Sequence, residues 1–394
     1  MELREARAGY LVEAGQRVPK GYKQTEVGVI PEDWEVKTVG SVAAYANGKA
    51  HEGNISDFGK YIVVNSKFIS TNGKVKKYSD DCFSPTSESE ILMVMSDVPN
   101  GRAIARCFFV DHNDLYTVNQ RICVFRPNQI NGRLLYYKLN RHPFYLSFDD
   151  GVKQTNLRKN DVLSCPLTIP PTKAEQEAIT EALNDADALV ESLEQLIVKK
   201  RQIKQGTMQE LLTGKKRLPG FNGDWEVKRI GDVLTIAHGK SQHAVEDRNG
   251  IYPILATGGQ IGVANRFLYD KPSVLIGRKG TIDRPQYMEQ PFWTVDTLFY
   301  SVIHKQNNAK FLFYRFCLID WKQYNEASGV PSLNARTIES IEIKVPLEDE
   351  QTAIAAILSD MDAEIAALEE KLAKTRSIKQ GMMHNLLTGR IRLL

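Results

Sequence analysis

Few side chains in this sequence are arranged to make or break bonds, and many are arranged to hydrogen-bond. In the first half, Asn65-Ser-Lys67, Lys74-Val-Lys76-Lys77, Asn100-Gly-Arg102, Asn119-Gln120-Arg121 and Lys153-Gln154-Thr-Asn156 bring cations and amides together. Thr257-Gly-Gly-Gln260, Arg278-Lys279-Gly-Thr281, Arg284 and Ser332-Leu-Asn334 do the same in the second half. Lysine and arginine pair with phosphates, while arginine, asparagine and glutamine offer the forked donors and acceptors that match base edges. Taken singly, each cluster has the composition of a solvated loop. Their recurrence in both halves makes them candidate nucleic-acid contacts.

Signatures of catalysis are missing. An amino-methyltransferase holds its target amine in an Asn/Asp-Pro-Pro-aromatic loop, but Ile169-Pro-Pro-Thr172 lacks both flanks, and His142-Pro-Phe-Tyr145 is no nearer. A phosphate-binding loop requires a glycine five residues before its Gly-Lys-Ser; before Gly239-Lys240-Ser241 that position is Leu234. Glu35-Val-Lys37, Glu226-Val-Lys228 and Glu342-Ile-Lys344 match only the short half of a nuclease motif and read as strand-edge or surface positions. The seven histidines show no ligand spacing, so no metal is expected.

The clusters lie between short apolar runs set off by Gly, Asn, Asp and Pro, the pattern of strands joined by turns. Tyr61-Ile-Val-Val64, Ile91-Leu-Met-Val-Met95, Arg121-Ile-Cys-Val-Phe125, Val274-Leu-Ile276 and Phe299-Tyr-Ser-Val-Ile303 are examples, and helical pieces start at Gly132 and Ala309. The two halves echo each other: WEVKTVGSVAAYANGK from Trp34 returns as WEVKRIGDVLTIAHGK from Trp225, 191 residues later. Thr117 and Leu135 find counterparts at Thr294 and Leu312, 177 residues later, so the first domain carries extra residues early in its course. The tryptophan is either a binding platform or, more commonly at a domain entrance, a buried anchor.

The strongest repeat is helical. Pro171 to Leu218 returns as Pro346 to Leu393 at an offset of 175 residues, closing on IKQGTMQELLTGKKRL and IKQGMMHNLLTGRIRL. Apolar residues recur at alternating steps of four and three, the seam of a coiled coil. The first seam is Ile179, Leu183, Ala186, Val190, Leu193 and Ile197, then Lys200, Lys204, Thr207 and Leu211. The second is Ile354, Leu358, Met361, Ile365, Leu368 and Leu372, then Thr375, Lys379, Met382 and Leu386. The polar steps mark either a place where the pair opens to admit partner helices or an exposed end. Gly206 and Gly381 make a local weakening or bend plausible, and Gly214 and Gly389 suit left-handed C-terminal caps. A helix of about 39 residues extends about 58 Å at 1.5 Å per residue, the length of a spacer.

Composition sets bounds. The chain has 394 residues, 42% hydrophobic and 25% charged, with net charge +3, so a nucleic-acid surface has to be local. Five cysteines without C-x-x-C spacing argue against a zinc site and a disulfide framework, and a reducing cytoplasm fits. No stretch has the apolar length of a membrane span, and the N-terminus, with scattered charges, reads as an extension or start-site artefact and not as a secretory signal.

Three features carry a family resemblance: Gly21-Tyr-Lys-Gln-Thr-Glu-Val-Gly-Val-Ile-Pro-Glu-Asp-Trp34, the Pro-x-x-x-Glu-Gln openings at Pro171–Gln176 and Pro346–Gln351, and LLTGKKRLPGFNGDWE from Leu211. With these the chain resembles the specificity subunit of Type I restriction-modification enzymes over nearly its whole length after residue 21. The resemblance implies an α+β chain: two similar mixed α/β target-recognition domains separated by a pair of long antiparallel coiled-coil helices, with an internal pseudo-two-fold repeat. The expected division is 1–24 extension, 25–170 first recognition domain, 171–215 first long helix, 216–345 second domain and 346–394 second long helix.

The resemblance further implies that each domain reads one half of a bipartite site on double-stranded DNA. Domains that are related but differ in their loops make that site asymmetric, and a rigid rod between them sets the half-sites on the order of one 34 Å helical turn apart or somewhat more. The resemblance implies no chemistry on this chain. Methyltransferase subunits, two of them, would dock on the helices, restriction/translocase subunits would join indirectly, and S-adenosylmethionine and ATP/Mg would bind those partners. A self-contained DNA-modifying enzyme and a coiled-coil protein scaffold are the alternatives.

Overall fold

The computed structural model describes residues 18–393. It forms two compact units, one comprising the chain up to Glu191 together with the segment from Ala373, the other Ser192–Leu372. The division runs through both long helices, Lys173–Leu211 and Glu348–Leu387, so each unit holds a globular domain, the opening half of one helix and the closing half of the other.

The two domains share one topology. In the first, a four-stranded antiparallel sheet has the order Ala43–Asn47, Ile122–Pro127, Ile91–Val94, Cys107–Phe109. In the second the order is Leu234–His238, Leu298–Ile303, Ser273–Gly277, Gln286–Met288. Beside each lies a three-stranded sheet whose central strand, Tyr61–Val64 or Tyr252–Ala256, has a parallel neighbour, Tyr116–Val118 or Trp293–Thr294. The apolar runs lack a polar alternate because both faces are covered. Ile91, Met93, Cys123 and Phe125 enter one core with Leu134 and Leu135 of helix Gly132–Leu139, while Leu92, Val94, Ile122 and Val124 enter another with Ile62 and Val64.

The early surplus of the first domain has a place. Tyr61–Val64 reaches its antiparallel partner Tyr78–Ser79 through a helix, Ser66–Ser70, and a loop, whereas Tyr252–Ala256 turns directly at Thr257-Gly258 into Gly259–Ala264. At the other border, residues 22–24, assigned by sequence to an extension, belong to the fold: Tyr22–Thr25 pairs with Gly28–Pro31, and the Tyr22 hydroxyl donates to Gly389 O at 3.1 Å. The rest of that extension, residues 1–17, lies outside the described residues. Glu35, Lys37, Glu226, Lys228, Glu342 and Lys344 stand on the short two-stranded sheets Glu35–Thr38/Pro166–Ile169 and Glu226–Arg229/Glu342–Val345.

Within each unit the helix halves run antiparallel. Glu350 takes Arg217 in a two-point contact, Nε and Nη2 each 2.7 Å from a carboxylate oxygen, and Arg201 and Lys200 reach Glu369 and Glu364 at 2.5 and 2.6 Å. Lys204 pairs with Asp362. In the other unit, Glu175 takes Arg392, which also holds Asp33 at 2.8 and 3.0 Å, and Lys379 pairs with Asp187. Glu175–Arg392 and Asp187–Lys379 are thus the repeat images of Glu350–Arg217 and Asp362–Lys204. The polar steps at Lys200, Lys204 and Lys379 are neither openings nor bare ends: carboxylates on the opposite helix fill them. Tyrosine hydroxyls close both clusters, Tyr137 on Asp187 and Tyr314 on Asp362, each at 2.7 Å. Burial first, then the carboxylate, pushes Tyr137 upward, and burial is also the main cause at Tyr314.

The apolar seam residues are interior. Ile179, Leu183, Leu193, Ile197, Leu211, Ile354, Leu358, Ile365, Leu372 and Leu386 are buried, and Val190, Met361 and Leu368 are half-buried. Their end positions serve the domains as well, since Ile179, Leu183 and Leu386 join the first domain's core and Leu211, Ile354 and Leu358 the second's. Both helices run unbroken through Gly206 and Gly381, and Gly214 and Gly389, each with φ +72°, close the turns that follow Leu211 and Leu387. These caps rest on the entrance tryptophans: a Cβ on Gly214 would lie 3.3 Å from Trp225, and one on Gly389 3.3 Å from the fully buried Trp34.

Each domain also grips a helix end from below. The Lys138 ammonium, buried beneath Trp34, donates to Leu387 O at 2.7 Å and Thr168 Oγ1 at 3.1 Å, and at the repeat position Arg315 donates to Leu212 O at 2.6 Å. These carbonyls belong to the unsatisfied last turn of a helix, where a cation is favoured. Burial pushes Lys138 down to about 7. Because the folded pKa lies below the unfolded one, unfolding takes up a proton between about pH 7 and the ordinary lysine range, so this group adds stability as pH rises through that window. Chemical denaturation at pH 6.5 and pH 9 should show the parent gaining stability relative to Lys138→Met on going to the higher pH.

Candidate functional site

In each domain the candidate contacts converge on one end of the four-stranded sheet. In the first domain, antiparallel pairing brings together the carboxyl ends of Ala43–Asn47 and Ile91–Val94 with the amino ends of Ile122–Pro127 and Cys107–Phe109. Gln120 and Arg121 enter a strand there, and Asn100 and Arg102 sit on the loop leaving another. Lys153, Gln154 and Asn156 join them through a ribbon, Thr155–Asn156 against Ser96–Asp97. Main-chain bonds weld the pieces, Met95 N to Arg121 O and Leu157 N to Met95 O, both 2.9 Å.

Acidic and amide side chains hold these loops in shape. Asp97 accepts from the amides of Val98, Ala103 and Ile104 at 2.9, 2.6 and 3.0 Å, which closes the loop bearing Asn100 and Arg102. Asn100 donates to Gly151 O at 3.0 Å, Gln154 to Ser96 Oγ at 2.7 Å and Gln120 to Glu52 at 2.7 Å. Asp150 accepts from the amides of Lys153 and Val152, and these bonds hold its carboxyl below the usual range.

The three-stranded sheet feeds the same end, because Tyr61–Val64 and Tyr116–Val118 are parallel and finish together. Asn65 and Lys67 follow one, Asn119 to Arg121 the other. Asn65 Oδ1 caps helix Ser66–Ser70 by accepting from Phe68 N at 2.9 Å, so it serves as a cap. Lys67, Lys74 and Lys76 are exposed, and Lys77 pairs at 2.5 Å with Asp57, whose carboxyl it draws below the ordinary value.

The second domain repeats the arrangement with different side chains. Arg278, Lys279, Thr281 and Arg284 follow Ser273–Gly277, while Thr257 and Gln260 occupy the hairpin end beside Gly280. Lys279 bridges to Ser332, Gly280 N donates to Pro331 O at 2.8 Å, and Leu333 N to Arg278 O at 2.9 Å, as Leu157 does to Met95. Arg278 Nη1 donates to Asp296 O at 3.2 Å, Ser332 N to Asn325 Oδ1 at 2.9 Å, and Asn334 caps helix Ala335–Ser340 through Arg336 N. Lys279, Arg284 and Gln260 are exposed. Sequence reading missed the residues that set these loops, among them Asp97, Glu52 and Asn325; nothing local distinguishes them from other surface polar groups. It also missed Lys49 and Lys240, although both lie inside the repeated Trp34 and Trp225 phrases.

The far end of each sheet belongs to the long helices. Asn131 N donates to Gln176 Oε1 and Asn308 N to Gln351 Oε1, both at 2.9 Å, while Gln176 and Gln351 donate to the carbonyls of Pro170 and Pro346. The Glu-Gln of each helix opening is therefore buried structural machinery: the glutamate takes an arginine after the other helix, and the glutamine docks the domain's own helix cap. Each domain thus presents hydrogen-bond donors at one end and is bolted to helix at the other. Among the described residues, no group of three His, Cys, Asp or Glu could hold a metal ion, and no helix is long and apolar enough to cross a membrane.

Comparison with known proteins follows the same two-part division. The family model of the Type I restriction modification DNA specificity domain matches twice, over residues 31–202 and 222–376. The Type I restriction enzyme MjaVIII specificity subunit of Methanocaldococcus jannaschii is 30% identical over 191 residues, 42% of each chain. The putative type I restriction enzyme MjaX specificity subunit of the same organism is 23% identical across 95% of this chain and 97% of its own length. The crystal structure of the S subunit of a Type I restriction-modification system from M. genitalium superposes with TM-score 0.67 at 17% identity, covering 94% of this chain and 98% of that one, and so shares the fold. With both domains covered by that family model, the chain belongs to the Type I restriction modification DNA specificity domain family and carries that domain twice.

Proposed function

We propose that this chain is the DNA-recognition subunit of a Type I restriction-modification complex and performs no chemistry itself. Each domain reads one half of an asymmetric bipartite site on double-stranded DNA, and the two long helices dock methyltransferase subunits, two per chain, with restriction/translocase subunits joining indirectly. S-adenosylmethionine and ATP with Mg are bound by those partners. The observation that carries this reading is the gathering of cationic and amide side chains at one sheet end in both domains, away from the end fastened to helix. Similar scaffolds with different side chains at that end suit two different half-sites, since base edges are distinguished by the donors and acceptors presented to them.

The test is exchange of residues 30–165 for the corresponding region of a relative with another specificity, followed by mapping of methylated positions after reconstitution with the methyltransferase subunit. One half of the site should be replaced and the other kept. A wholly new site, or equal affinity of the reconstituted complex for every duplex, would overturn the reading.

A further inference from the structure

One cation occupies the same place in both domains although the loops around it have diverged. Gly48-Lys49 follows strand Ala43–Asn47, and Gly239-Lys240 follows Leu234–His238. At each site the chain crosses its neighbour so closely that only glycine fits: a Cβ on Gly48 would lie 2.1 Å from Asn119 O, and one on Gly239 2.0 Å from Val295 O. The next amide then donates to Val118 O in the first domain and to Thr294 O in the second, both at 2.8 Å. The backbone therefore delivers both lysines, in the same way, to the sheet end where the candidate base contacts gather.

Both side chains are exposed, and neither has an ion-pair partner among the described residues. The contrast with another repeated pair is informative, since Lys37 and Lys228 are neutralised by Glu35 at 3.0 Å and Glu226 at 2.8 Å. A side chain that reads bases has to differ between domains that read different half-sites. One that touches phosphate does not, because phosphates carry no sequence information directly. We propose that Lys49 and Lys240 are phosphate-binding residues, one per domain, that hold each domain on the DNA backbone beside its half-site whatever the bases there. This rests on the DNA-recognition reading above.

The experiment uses the full chain reconstituted with its methyltransferase subunit. Affinity is measured by fluorescence anisotropy on a duplex bearing the site found by methylation mapping and on a scrambled duplex, between 50 and 200 mM salt. Loss of one phosphate contact lowers the slope of log affinity against log salt by about 0.9, so the affinity lost across that range should shrink about 3.5-fold for Lys49→Ala and again for Lys240→Ala. The ratio of specific to scrambled binding should be unchanged, Lys49→Arg and Lys240→Arg should keep the parent slope, and Lys305→Ala, at the opposite end of the second sheet, should have no effect. An unchanged slope in both alanine variants, or a specificity ratio that falls through one base pair only, would overturn the phosphate assignment. Equal binding of the two duplexes by the parent complex would instead overturn the DNA-recognition reading itself.

Discussion

Trp34→Ala should destabilise the first unit by about 3–5 kcal/mol, the range for deleting a large aromatic from a packed interior. The indole is fully buried among Ile30, Leu386 and the first domain's core, and three other elements rest on it. Gly389 closes the second long helix over its edge, the Arg392 guanidinium stands 5.8 Å from the ring and the Lys138 ammonium 5.3 Å. Its removal opens a cavity and loosens the helix end that Lys138 and Glu175 also hold. The indole nitrogen is buried without a hydrogen-bond partner among the described residues, so Trp34→Phe discards an unsatisfied donor and should cost much less than Trp34→Ala. At Trp225 the balance reverses, for that residue is half-exposed and its nitrogen donates to Glu350 at 3.2 Å. Alanine there should cost less than at Trp34, while phenylalanine should recover a smaller share of the loss. Urea unfolding of the four variants checks this ranking, and a Trp34→Ala midpoint equal to the parent's would refute the anchor.

The tryptophans show what repetition makes legible. Long helices, their left-handed glycine caps and the paired domains follow from the repeated segments and from apolar spacing, because both act over a few residues. What escaped is what depends on a partner remote in sequence. Lys200, Lys204 and Lys379 read as breaks in an apolar seam because their carboxylates lie on the other helix, 164, 158 and 192 residues away. The same limit applies to the site. Loop composition pointed to the candidate side chains, but only strand pairing shows that they share one end of each sheet. Asn65 and Asn334, chosen as amides that match bases, are engaged as helix caps, a role asparagine fills often enough to be an alternative at any helix start. By itself, Gly239-Lys240-Ser241 invites comparison with a nucleotide-binding loop. Its echo at Gly48-Lys49 is the better clue, since a glycine repeated just after a strand marks a close backbone approach.

That approach makes Gly48→Ala and Gly239→Ala strongly disruptive single-methyl changes. Neither glycine has a positive φ, so alanine suffers no intrinsic backbone strain, and the whole effect is contact. At Gly239 the new carbon meets Val295 O at 2.0 Å, Val295 C at 2.6 Å and Thr294 O at 2.7 Å, all main-chain atoms. At Gly48 the corresponding contacts are Asn119 O at 2.1 Å, Asn119 C at 2.6 Å and Val118 O at 2.7 Å. A side chain could rotate away, but Asn119 O and Val295 O accept the amides of Ile122 and Leu298 and cannot move without breaking those bonds, so the cost should reach the upper end of the overpacking range, about 3 kcal/mol. Relief would have to come from separating the first strand from the segment between the two sheets, which carries Asn119 to Arg121 in one domain and Asp296-Thr297 in the other. Each substitution should therefore lower the denaturation midpoint of its own unit and impair the DNA end of that domain before the helix end. Hydrogen exchange distinguishes the two: protection should fall at Lys49 and Ile122, or at Lys240 and Leu298, while the amides of Asn131 or Asn308, docked on the long helices, keep theirs. Uniform loss of protection would show instead that the crossing supports the whole domain.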